Sequence, residues 1–566
     1  MKKIVTLLGS LLLAFCGRIS DYTQEIPDIG QIQADSTTIE NLEILCKVWG
    51  FVKYHHPVFC QMRPKINMDW ELLNLLPQVA TAVPNDRNRI LSEWVDSFGK
   101  FKDASERYRQ KLSQGEYEQT ANCSWTADTS ELGCVLSKQL SQLRYADRKP
   151  ENRFIEIYQS LWIKTFKENT SNFNGGTGKQ LLTLFRYWNI IEYFFPYRNI
   201  TNTPWHDVLN KYIPLFLAPT KDTYLQAVAQ LVSEVNDTHA NRPWGIVGGN
   251  YSLPLQAQFV EDKLIIIDAW KRSHIFKPGD EIMSIDGQTP EEVLELTQKY
   301  CAYSNQASLR RVAAENILKV KNWKAKVSFK RDGKIIDTTV GAMRLSAWGE
   351  ELKEHRLNLD VFRMLNDSVG YLYPAEIDAV DNISGLFDSI SRTKVLIVDH
   401  RCYPLLMAKI IHHFINAGEH VTTCTKPMVE LPGYFEYIPV VRIDIKTESP
   451  YKGQIIVLVN ERSQSMCEYS TMMLQTRPST VVIGSQTAGT DGNVGSIPLP
   501  GGMETFISGI GVYYPDKTPT QRCGVKIDYE IYPTIEGIRE GRDELLEKAM
   551  EIIALEAPEN LKSRDN

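Results

Sequence analysis

The sequence predicts an α+β chain of several domains: a helical N-terminal region, a small β-rich middle unit and an α/β unit toward the C-terminal end. Three observations carry this. At 566 residues the chain exceeds what one hydrophobic core holds. Aromatic residues at helical spacing crowd residues 41–245. After residue 366, short β-branched runs alternate with helical ones, the pattern of buried parallel strands. Charge is near balance, 63 basic against 69 acidic residues, so no basic stripe predicts nucleic acid as a partner. Ten cysteines include no Cys-x-x-Cys pair and no Cys/His spacing for zinc, so neither metal nor cofactor is expected. Cys123 and Cys134 could bridge a loop or stay free thiols.

Residues 1–16 read as a signal peptide: Lys2 and Lys3, then an apolar run from Ile4 to Phe15 that is too short for a mature membrane span. Leu13-Ala-Phe-Cys16 resembles a bacterial lipobox, with Cys16 the lipidated residue, although Phe15 is larger than is usual there. The expectation is an exported protein of the bacterial cell envelope, periplasmic or an outer-membrane lipoprotein, that meets the membrane through a lipid anchor. Residues 17–40 are polar and read as a tether.

Residues 41–245 contain a degenerate helical repeat. Trp49, Tyr54 and Pro57 recur at identical spacing as Trp188, Tyr193 and Pro196. Aromatics at that spacing predict core packing. His55 and His56 are read as a solvated helix end, and residues 101–150 as a loop-rich connector. Tyr224–Val232 is an amphipathic helix that ends near Asp237-Thr-His-Ala240. Residues 252–342 form the middle unit, with strands at Leu264–Ile267 and Glu281–Ile285, turns at Lys277-Pro-Gly-Asp280 and Asp286-Gly287, and a helix at Glu291–Tyr300. A hinge is expected near 345–366, and the α/β unit spans 366–555.

Within that last unit the chemistry centres on Glu461-Arg-Ser-Gln-Ser-Met-Cys-Glu468. The apolar strand Gln454–Asn460 precedes it, a helical run follows, and then come the strand Thr480–Gly484 and a glycine-rich loop, 485–495. A hydroxyl at a strand-to-helix turn is exposed, and the helix's first N–H groups face any oxyanion formed there. On these residues alone, Ser463 and Ser465 read as helix caps.

Val459-Asn-Glu-Arg-Ser-Gln-Ser-Met-Cys-Glu468, with Val482-Ile-Gly-Ser-Gln-Thr-Ala-Gly489 behind it, resembles the nucleophile region of the serine peptidase family that contains the carboxy-terminal processing proteases and the tricorn core peptidase. The resemblance covers roughly residues 230–550. It implies that Ser465, three residues before Glu468, is the nucleophile, and that Met466 gives one oxyanion N–H. Asp237-Thr-His-Ala240 resembles the segment carrying the catalytic histidine in tricorn-type members, which implies His239, with Thr238 as the small hydroxyl beside it. Lys394-Val-Leu-Ile-Val-Asp-His-Arg401 resembles the family's Asp-x-Arg segment, whose loop would give a second oxyanion N–H from Tyr403 or Leu405, since Pro404 has none. The side chains of Asp399 and Arg401 read as a strand-end ion pair. The middle unit resembles a PDZ core, which implies a peptide-binding groove, with a purely packing role as the equal alternative, and the implied catalytic fold is of the ClpP/crotonase type.

Two positions depart from the family. The lysine of the processing proteases, 25 residues after the serine, falls at Thr490, and no lysine lies between Ser465 and Lys517. The assisting glutamate of the tricorn type falls at Gln521, in the segment before the run Gly524–Asp528, which resembles a family strand; Glu504 and Glu468 are possible substitutes. The resemblance implies an exported serine endopeptidase acting on peptide or unfolded protein. The alternative is a catalytically impaired relative that binds peptides or serves as a scaffold. An α/β-hydrolase esterase finds no Gly-x-Ser-x-Gly elbow at Ser465.

Overall fold

The computed structural model describes residues 29–60, 66–159, 162–170, 176–217, 220–242, 244–270, 273–357, 359–380, 382–404, 410–441 and 450–556. The signal peptide, Cys16, the start of the tether and Leu405 lie outside them. Two compact units are present. One combines residues 1–235 with 425–437 and 494–510, and the other the remaining segments.

The first unit is mainly helical. Both copies of the aromatic run are helices, Ser36–His55 and Thr177–Phe194. Each copy's tryptophan is buried, and its indole N–H donates to a backbone carbonyl downstream, Trp49 to Met68 at 2.7 Å and Trp188 to Trp205 at 3.0 Å. The two helices meet where Gly50 leaves room for Asn189, whose amide donates to the carbonyl of Cys46 at 3.0 Å. A Cβ at Gly50 would sit 1.9 Å from that side chain, so only glycine fits. Below the crossing lies a buried charge cluster. Glu168 accepts from Lys53 at 2.7 Å and Tyr54 at 2.7 Å, and Arg186 bridges Glu168 and Asp69.

Several expectations for this unit are corrected. Residues 101–150 hold the helices Ser105–Ser113 and Thr129–Arg144, the second built on a polar sequence capped by Asp128. His55 and His56 are buried, at 0% and 2% exposure, not solvated. The second aromatic helix supplies the cover, with the rings of Tyr193 and Phe194 against His55, while Phe98 and Phe101 enclose His56. Of the two readings left open for Cys123 and Cys134, the structure holds the free thiols, one buried and one exposed.

The second unit holds two larger sheets. In the first, five strands run in the order Lys334–Gly341, Lys324–Arg331, Glu281–Ile285, Lys263–Ala269 and Leu255–Val260, leaving the last at an edge. Asp286 and Gly287 both take positive φ, 50° and 83°, as a tight two-residue hairpin turn demands. Thr289 and Glu292 form a capping box that starts the helix Pro290–Tyr300. The helix Gln306–Ile317 lies alongside the edge strand.

The second sheet has six strands in the order Phe362–Met364, Val369–Leu372, Val395–Asp399, Gln454–Val459, Thr480–Gly484 and Tyr529–Glu530, parallel after the first pair. Its central strands are buried throughout, which is why they read as unbroken apolar runs. The presumed hinge is instead the helix Leu345–Leu357 followed by the edge strand. The closing helix breaks at Gly541, left-handed at φ 69°, into Ile535–Glu540 and Glu544–Glu556. The strand placed over Gly524–Asp528 begins only at Tyr529. No helix among the described residues is long and apolar enough to cross a membrane.

Burial drives the His56 imidazole down to about 4, so it stays neutral in the folded chain at pH 5. An unfolded histidine takes up its proton near 6.5. The unfolded state therefore binds more protons between about pH 6.5 and 4, and stability falls as pH falls through that window. We expect the parent to lose about 3 kcal/mol more unfolding free energy than His56→Gln between pH 7 and pH 4. Urea titrations at both pH values check this, and parallel losses would contradict it.

Candidate active site

The strand Gln454–Val459 runs out at its C-terminal end into a turn, and the helix Met466–Leu474 follows. Ligand sites in open α/β sheets form at such strand ends. The turn separates its two serines. Ser463 is fully buried, its Oγ donating to the His400 carbonyl at 2.7 Å and accepting the Asn460 N–H at 3.1 Å. It is a structural fastener. Ser465 is half-buried and holds φ 58° and ψ −122°, a region that a serine occupies only under constraint. This strained strand-to-helix turn is the backbone device that lifts a nucleophile clear of its surroundings. Met466 opens the helix, so its N–H has no intrahelical acceptor.

Glu468 fixes that turn. Its buried carboxylate accepts from Ser465 N at 3.3 Å, Thr490 N at 3.0 Å, Gly489 N at 2.8 Å and Thr487 Oγ1 at 2.5 Å. Burial raises its pKa, and those four donors pull the other way. The Ser465 N–H is shared with the carbonyl of Thr490 at 2.9 Å.

His239 lies on the short turn Thr238–Ala240, which Asp237 caps. Its side chain is 9% exposed, and burial holds the imidazole below its usual range. Asp237 pulls that value back up, and the guanidinium of Arg311 pushes it down. A chain of hydroxyls joins this segment to the serine turn. Thr238 Oγ1 bonds Ser304 Oγ at 3.1 Å, and Ser304 Oγ bonds Thr490 Oγ1, whose own carbonyl holds Ser465. Arg311 donates to Gln464, the neighbour of Ser465, at 2.5 Å.

At the end of the strand Val395–Asp399, Arg401 is paired with both Asp399 and Asp543, so these side chains act as a strand-end anchor. Tyr403 is 48% exposed and lines a cavity of about 470 Å³ together with Leu255, Trp348, Leu352 and Cys402. A second cavity, about 690 Å³, follows the edge strand through Ala257, Phe259 and Val260 and the facing helix through Arg310, Arg311 and Ala314.

Residues 405–531 match the model of peptidase family S41. That segment belongs to peptidase family S41. It is of the serine-type peptidase kind, a hydrolase, and it contains Ser465, Met466, Glu468 and Gln521. No curated protein matches the chain. Among solved structures, mature CPAF complexed with lactacystin is 15% identical with a TM-score of 0.52, covering 67% of this chain and 98% of that one. Mature CPAF alone is 14% identical at 0.51, covering 67% and 97%. The photosystem II D1 C-terminal processing protease is 13% identical at 0.40, covering 64% and 96%. At these identities the CPAF likeness is one of fold.

Among the residues singled out from the sequence, Ser465, Met466 and Glu468 share one turn, and Thr238 and His239 are tied to it through Ser304 and Thr490. Gln521 is 2% exposed, and neither atom of its amide finds a hydrogen-bond partner among the described residues. Glu504 is bonded to Ser496. Leu405, the first residue of the matched segment, lies outside the described residues. Sequence reasoning missed Ser304 and Arg311, which lie on no motif. It met Thr490 only as an absent lysine. No cluster of metal-binding side chains occurs among the described residues.

Glu468→Gln keeps the shape of that side chain but turns an amide N–H₂ toward N–H donors. We expect it to lower unfolding free energy by about 2–3 kcal/mol, checked by urea denaturation. A change below about 0.5 kcal/mol would contradict the clamp.

Proposed function

We propose that the protein is an exported serine endopeptidase that cleaves peptide bonds through an acyl-enzyme on Ser465, with His239 as general base. The observation that carries this is the backbone of Ser465, φ 58° and ψ −122°, at a helix N-terminus inside the family S41 segment. His239 takes the Ser465 proton as Oγ attacks the carbonyl. The N–H of Met466 and one from the loop at Tyr403 or Leu405 hold the tetrahedral oxyanion. His239 then protonates the leaving amine, and water releases the acyl group. An imidazole held below its usual range is neutral at pH 7 and available as the base.

The middle unit supports a PDZ-like reading, and the six-stranded unit a ClpP/crotonase-like one. An extended peptide would add to the free edge of Leu255–Val260, over the 690 Å³ cavity, with main-chain hydrogen bonds giving affinity. Lipidation at Cys16 would hold the chain at the cell envelope, facing unfolded protein substrates. One observation favours the second reading, a catalytically impaired relative that binds or scaffolds peptides: position 521 carries a buried amide with no partner among the described residues, where the resemblance implies a carboxylate.

The test is cleavage of unfolded casein by residues 17–566 beside Ser465→Ala and His239→Ala. The parent should cleave, and each variant should lose about 10⁴-fold or more. A folded parent without activity on casein or on a peptide library supports the binding relative. Equal cleavage by all three overturns the assignment of both residues.

A further inference from the structure

A serine–histidine pair needs a group at the imidazole's second nitrogen, to fix the tautomer and to balance the charge of the imidazolium. Several groups near the site are committed elsewhere. Glu468 is occupied by four donors of the 487–490 loop and the serine turn. Thr238 Oγ1 is bonded to Ser304. The Gln521 amide has no hydrogen-bond partner among the described residues, so neither its oxygen nor its nitrogen is spent on the imidazole. Asp491 Oδ1 accepts the Gly492 N–H at 2.6 Å, and its Oδ2 has no partner among the described residues.

Asp237 is the carboxylate at the imidazole. It is 0% exposed, and its Oδ1 lies 3.6 Å from His239 Nδ1 while accepting the His239 backbone N–H at 3.0 Å. We propose that Asp237, two residues before the histidine, is the positioning carboxylate of this site, in place of one at position 521. The inference rests on the reading of Ser465 and His239 as nucleophile and base, and it deepens that reading.

The geometry explains how one oxygen does both jobs. Holding the backbone N–H of His239 sets where its side chain leaves the chain, and that places Nδ1 beside the same oxygen. An Nδ1–H tautomer facing Asp237 leaves the lone pair on Nε2 for the serine proton. When Ser465 Oγ bonds to the carbonyl carbon, its proton passes to Nε2 and later to the leaving nitrogen. Asp237 exchanges no proton in these steps. Its charge faces the imidazolium from one side, while Arg311, on the helix Gln306–Ile317, opposes it from another.

The test uses the full chain with Asp237→Asn, whose side-chain oxygen still accepts the His239 N–H, and Asp237→Ser as a second variant that keeps an acceptor there. Casein kcat/KM should fall about 10²- to 10⁴-fold in Asp237→Asn. The acid limb of its pH profile should move to lower pH, because the carboxylate raises the imidazole pKa. NMR titration of His239, assigned with His239→Gln, should show the same downward move independently of activity. Adding Gln521→Glu to Asp237→Asn should not restore the rate. Activity within threefold of the parent with an unmoved limb, rescue by Gln521→Glu, or an unchanged His239 titration would each overturn the proposal. A parent that cleaves nothing removes the serine–histidine reading instead, and the titration still decides whether Asp237 faces the imidazole.

Discussion

The carboxylate of Glu468 is buried among four donors, and much of the site depends on where it stands. Burying a carboxylate costs several kcal/mol unless its oxygens are well partnered. The chain meets that cost by turning three backbone N–H groups and one hydroxyl onto it. The same four contacts draw the glycine-rich loop against the start of the helix and place the Thr490 carbonyl on the Ser465 N–H. Ser465 can hold a left-handed backbone because the residues around it are fixed from both sides. The strain at Ser465 and the satisfaction of the glutamate are two aspects of one arrangement.

A second set of constraints reaches the histidine. Ser304 and Thr490 carry the link from Thr238 to the serine turn through hydroxyls, where the processing proteases use a lysine. A lysine at 490 would enter a space that is 0% exposed and already bonded to Ser304. The hydroxyl chain and the serine–lysine dyad are therefore alternative uses of the same position. In the proposed reading the histidine is then the base, and the question of charge balance shifts to the residues at its own turn.

Much of the catalytic framework could be read from the sequence. The strands at 395–399, 454–459 and 480–484 are buried along most of their length, so each centres on an apolar run with few competing interpretations. The turns at Asp286-Gly287 and Thr289-Pro290 were legible because their geometry needs particular residues. What was not legible depends on distant partners. His55 and His56 look solvated until the helix Thr177–Phe194 and the rings of Phe98 and Phe101 are placed over them. The helix Leu345–Leu357 carries a weak apolar pattern and was read as a hinge, although its Trp348 donates to the Leu253 carbonyl. Nothing in the sequence near Ser465 announces its positive φ, and the same letters would serve an ordinary cap. The role proposed for Asp237 was hidden for the opposite reason: an aspartate two residues before a histidine looks like local capping, which it also is.

The most direct measurement of the central claim is covalent. The folded chain is treated at pH 7.5 with a fluorophosphonate, which reacts only with an activated hydroxyl, and the adduct is located by peptide mass mapping. The account predicts a single adduct per chain, on Ser465, absent when the chain is first unfolded in urea. An adduct on another serine, or no adduct on a folded chain, would contradict the assignment of Ser465 as an activated nucleophile.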